Sequence, residues 1–114
     1  MAKQSEKAVR STFTDLVNMS AAELATWLES DESRSVGWKG RDGQANESVG
    51  HASGRRIVQL LRKPTKELSG EDYAHMRKVI GFIRRHSAQR PENIYTSRWR
   101  YSLMNWGHDP TKVA

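Results

Sequence analysis

Between residues 4 and 33 and again beyond residue 50, apolar side chains recur every three or four positions; the stretch in between breaks that rhythm. Val9, Phe13, Leu16 and Val17 predict a first helix over about residues 4–18. Ser20 with Glu23 forms a capping box, and Leu24, Trp27 and Leu28 give the next helix its inner stripe, with an end expected near Glu29. Ser30, Asp31, Glu32 and Ser33 favour local side-chain hydrogen bonds over a continued ladder. A third helix, opened by His51 or Ser53, carries Ile57, Leu60 and Leu61 inward and stops at Pro64. The fourth and longest begins after Ser69, with Asp72 in the third position of a weaker box, and runs to about Ala88. Its inner stripe is Tyr73, Met76, Val79, Ile80 and Ile83. Trp99, Leu103 and Trp106 define a short aromatic helix within residues 96–106, with Gly107 placed as its C′ glycine and Pro110 beyond.

The expected fold is therefore all-α: one compact domain over residues 1–114 of four to five helices, with a long Gly/Ser-rich loop at residues 33–50 between helices two and three. Residues 1–5 and 109–114 are expected to be loose. A chain of 114 residues suits a single modest core, and 36% hydrophobic with 28% charged residues predicts a thin one. Cysteine is absent, which excludes disulfides, thiolate nucleophiles and sulfur-ligated zinc. Without a leader-like or membrane-length apolar run, the expected location is the cytoplasm, in association with the nucleoid.

Charge changes the picture most. Residues 55–114 hold 13 Lys or Arg against five Asp or Glu, whereas residues 1–54 hold six against eight. The formal net charge of +6 is thus the difference between a basic half and a slightly acidic one. Arg55 with Arg62, and Arg56 with Lys63, are heptad-spaced pairs opposite the apolar face of helix three, and Arg77, Lys78, Arg84 and Arg85 form a stripe opposite that of helix four. A one-sided field rich in arginine suits a polyanion, and its planar forks suit phosphate.

Four strings, DESRSVG (31–37), ESVGHASGRRIV (47–58), DYAHMRKV (72–79) and RWRYSLMNWGHDP (98–110), resemble a small family catalogued as domain of unknown function 3140. The resemblance spans about residues 13–110 and implies a single helical domain. Members are often labelled DNA-binding, so it also implies nucleic acid as a partner, and it transfers no catalytic residue.

Candidate chemistry is sparse. His51, His75, His86 and His108 are scattered, and only Glu71 with His75 has the i, i+4 spacing that lets two ligands share a metal, so neither metal nor cofactor is expected. Ser53 near His51 lacks a nucleophile-elbow context and reads as a helix cap. GHASGRR (50–56) reads as a glycine-bearing loop entering a helix with Arg55 and Arg56 near its first turn, suited to a nucleic-acid phosphate. The alternative there is that Gly50 and Gly54 allow close helix packing.

These features lead to a non-enzymatic DNA-binding protein that contacts duplex phosphates with little sequence selectivity through Arg55, Arg56, Arg62, Lys63, Arg77, Lys78, Arg84 and Arg85. A symmetric homodimer is compatible with it. The competing expectation is an adaptor whose basic face and Trp-rich C-terminal helix dock an acidic protein. RNA ranks third, since no ribonucleoprotein motif or KH-type loop occurs.

Overall fold

The computed structural model describes residues 5–113, which contain six α-helices and no strand. These are α1 (Glu6–Leu16), α2 (Ala21–Leu28), α3 (Asp31–Ser35), α4 (Val49–Arg62), α5 (Gly70–Ser87) and α6 (Arg98–Asn105). Single 3₁₀ turns follow at Thr65–Glu67 and Pro110–Lys112.

Every one of these six helices opens on a serine. Ser5, Ser20, Ser30, Ser48, Ser69 and Ser97 have extended backbone, and each hydroxyl accepts a hydrogen bond from the amide three residues on. Each such cap satisfies one orphan amide and is worth about 1 kcal/mol. The capping boxes expected at Ser20 with Glu23 and at Ser69 with Asp72 are both formed.

The core is one cluster. α1 lies along α5 and sets Val9 and Phe13 against that helix's stripe, while α2 lies along α4 and brings Leu24 and Leu28 to Ile57 and Leu60. α6 crosses both pairs and also touches α3, adding Leu103 and, just past its end, Trp106. Asn105 is the polar rivet at that crossing. Its Oδ1 accepts from Trp27 Nε1 at 2.8 Å and from the Ser33 hydroxyl, and its Nδ2 donates to the Ser33 carbonyl at 3.0 Å.

Two glycines set the spacing. Gly54 faces the end of α6 so closely that a Cβ would run into the Asn105 carbonyl oxygen and lie 2.7 Å from Leu28 Cδ2. Gly107 is the C′ glycine that the sequence predicts, with φ +82°, and a Cβ there would sit 2.8 Å from Val17 Cγ1.

Several expectations are corrected. The described residues form six helices rather than four or five, because Ser30 does not merely end α2 but caps α3, a five-residue helix too short to carry an apolar stripe. The loop accordingly shrinks to residues 36–48, pinned by the buried Val36 and Ser48, with Arg41 to Asn46 exposed. The third expected helix, now α4, starts at Val49 under Ser48, earlier than His51 or Ser53. Ser53 is therefore buried mid-helix and is not a cap. The tail from Asp109 is not loose: Arg100 and Asn18 hold Asp109, and Lys112 Nζ reaches Glu23 Oε2 at 2.8 Å. The expectation that residues 1–4 are loose lies outside the described residues, as does Ala114.

Candidate functional site

The eight basic residues singled out in the sequence divide into three groups in space. Arg55 is held by Glu47, from just before α4, through a two-pronged contact of 2.8 and 2.6 Å. The Glu47 carboxyl is pulled from its usual 4.5 down to about 2, first by Arg55 and then by His51, against the opposing cost of burial. The exposed carboxylate-facing side of Arg55 is thus already satisfied.

Arg56 and Lys63 lie on the opposite edge of the α4 exterior, beside α5. Both reach Asp72, from Arg56 Nη2 at 3.3 Å and from Lys63 Nζ at 2.7 Å. Asp72 is buried, and Lys63, the Ser69 amide and Arg56 hold its carboxyl well below the usual carboxylate range. The expected availability of Arg55, Arg56 and Lys63 to phosphate is corrected: each already meets a carboxylate. The phosphate cradle at GHASGRR is corrected with it. That string lies inside α4, the Ser48 cap takes the His51 amide, and Gly50 and Gly54 are buried packing positions.

Arg62, Arg77, Lys78, Arg84 and Arg85 are exposed and meet no carboxylate among the described residues. Arg62 stands apart, on the α2 side of α4 with Val58 and Gln59. The other four share one face of α5, within about a third of its circumference at 3.6 residues per turn. The opposite face packs on α1 and the core. Gly81 sits in the middle of this stripe and seats Arg85, whose Nη1 would be 2.9 Å from a Cβ there.

One edge of the stripe borders an apolar groove of about 390 Å³ that the sequence reading missed. Lys78 and Arg85 form one rim, Trp38 and Val49 the other, and Phe82, His86 and Trp106 line its wall. Trp38 is 63% exposed, unusual for a tryptophan in a chain with so thin a core. Behind it runs a ladder of rings, His75 against Trp106, Trp106 against Phe82 at 4.3 Å and 14°, Phe82 against His86, and His86 against Trp99. Burial pushes His75 down from 6.5 to about 4, aided by Arg56 and Lys78, and lowers His86 as well. The His86 Nε2 is buried without a hydrogen-bond partner among the described residues. Only the lone tryptophan in a Gly-rich segment could have signalled this groove.

Ser53 Oγ and His75 Nε2 stand 3.0 Å apart, a contact between two helices in place of the cap expected of Ser53. Ser53 is 5% exposed, and the pair ties α4 to α5. Among the described residues no three His, Asp or Glu converge as metal ligands, and no helix is long and apolar enough to cross a membrane. The adaptor alternative needs an exposed aromatic anchor on the C-terminal helix. Trp106 is instead buried and Trp99 half-buried, with its Nε1 donating to the His86 carbonyl at 2.6 Å.

No curated protein and no solved structure matches the chain. A family model spans residues 12–104, so it takes in all of α2 to α5, the loop, nearly all of α6 and the basic stripe. That family's description names no activity: the chain belongs to the family described as "Protein of unknown function (DUF3140)".

Proposed function

We propose that the protein binds duplex DNA through the α5 stripe, contacting phosphates with weak sequence selectivity and serving in the nucleoid. The observation that carries this reading is the set of Arg77, Lys78, Arg84 and Arg85 on one helix face without a carboxylate partner among the described residues. Unneutralised cations held on a rigid helix exchange their counterions for those of a phosphate backbone, and that exchange supplies most of non-specific affinity. Arg62 extends the surface, whereas Arg55, Arg56 and Lys63, engaged by Glu47 and Asp72, contribute less than the sequence suggests. Electrophoretic retardation at low salt tests the reading. Wild type retards duplex DNA regardless of sequence, and Arg77→Ala with Arg84→Ala weakens the complex. A folded wild-type protein that leaves duplex DNA unretarded removes it.

A further inference from the structure

The groove beside α5 has a chemistry that duplex phosphates alone do not use. One rim is cationic, from Lys78 and Arg85; the other is the exposed indole of Trp38; and no carboxylate lines the space. Its volume falls within the range of small-molecule sites. The wall also offers polar groups. Trp27 and Trp99 donate their indole N–H groups to Asn105 and to the His86 carbonyl, but Trp106, 4% exposed, meets no acceptor with its Nε1 among the described residues. That nitrogen lies against Gly50, where a Cβ would come within 2.8 Å of it, and both residues border the groove. The Ser102 hydroxyl borders the same space.

We infer that this groove takes an unpaired nucleobase with its adjoining phosphate: the base lies against Trp38 with its edge toward Trp106 Nε1, and the phosphate sits between Lys78 and Arg85. This rests on the nucleic-acid reading above and makes it more specific. A flat ring with polar edges and an attached anion complements an aromatic wall, an unused donor and a cationic rim together, and stacking of this kind tolerates any base. The protein then favours DNA whose bases are already unstacked, such as a bulge or a single strand, because extracting a paired base costs unpairing energy.

Fluorescence anisotropy on the full chain tests this with a matched duplex, the same duplex carrying a one-base bulge, a single strand, and a free mononucleotide as competitor. Wild type binds the bulged duplex and the single strand more tightly than the matched duplex. Trp38→Ala, at an exposed site that leaves the core intact, loses roughly tenfold or more toward the unpaired substrates and little toward the matched duplex. Trp38→Phe retains most of the preference. Displacement by the mononucleotide at comparable concentration assigns the site to a free nucleotide, and displacement by strands alone assigns it to nucleic acid; both sustain the groove as a base site. Equal affinity for matched and bulged duplex without mononucleotide binding, or a preference that Trp38→Ala leaves unchanged, overturns the inference. Either result leaves the α5 reading standing, whereas a matched duplex that itself goes unbound removes that reading.

Discussion

Lys63 Nζ donates to Asp72 Oδ2 at 2.7 Å, joining the C-cap of α4 to the first turn of α5. The same carboxylate accepts from the Ser69 amide at 3.0 Å, closing the capping box. Asp72 therefore does structural work for two helices while withdrawing Lys63 and Arg56 from the free cations.

Asp72→Asn separates those two effects. A buried carboxylate that loses its charge weakens the contacts to Lys63 and Arg56 and the box together, at a cost of about 1–3 kcal/mol. Urea denaturation is expected to show a lower midpoint with an unchanged slope. The same variant frees two cations, so its affinity for duplex DNA at low salt is expected to rise. A loss of both stability and binding would place Asp72 in the interface instead.

Gly54→Ala tests the closest approach in the core. Helix propensity alone favours alanine by up to about 1 kcal/mol. Here the added methyl meets the Asn105 carbonyl oxygen, a backbone atom, and Leu28, so overpacking of about 1–3 kcal/mol wins. The expected result is a lower melting temperature.

Stability is expected to fall steadily with acid. His75 binds its proton at about 4 in the folded protein but near 6.5 when unfolded, so the unfolded chain takes up the extra proton as pH drops from 6.5 to 4. Glu47, at about 2 when folded and near 4.5 when unfolded, adds a second loss as pH falls from 4.5 toward 2. His75→Gln is expected to flatten part of the upper window, leaving the share due to His86. Denaturant midpoints at pH 7, 5.5 and 4 would check this; a wild type equally stable across that range contradicts it.

The hub at Asn105 gives a sharper stability test. Asn105→Leu strands Trp27 Nε1 and the Ser33 hydroxyl inside the crossing of α2, α3 and α6. Each unsatisfied buried group costs about 1–3 kcal/mol, so the double loss is expected to exceed that of Gly54→Ala in the same denaturation series.

How much of this was legible in the sequence depended on range. α5 was readable almost to the residue, since 18 positions of apolar periodicity and a capping box agree. α3 was not, because five polar residues carry no period and Ser30 signals a stop and a start equally well. Counting charge along the chain also misled. Glu47 reaches Arg55 eight residues on, and Asp72 reaches Lys63 and Arg56 nine and sixteen residues back, so neutralisation occurs in space where the local composition is basic. The groove was hidden for the same reason: Trp38, Phe82 and Trp106 come from three separate segments, and only packing brings them together.

The central claim, that the unpaired α5 cations meet DNA phosphates, is tested most directly by the slope of log affinity for duplex DNA against log salt. With all four α5 cations engaged, the slope for wild type is expected at about −3.6, and Arg77→Ala with Arg84→Ala is expected to bring it to about half that value. A wild-type slope near zero, or one that the double variant leaves unaltered, would contradict it.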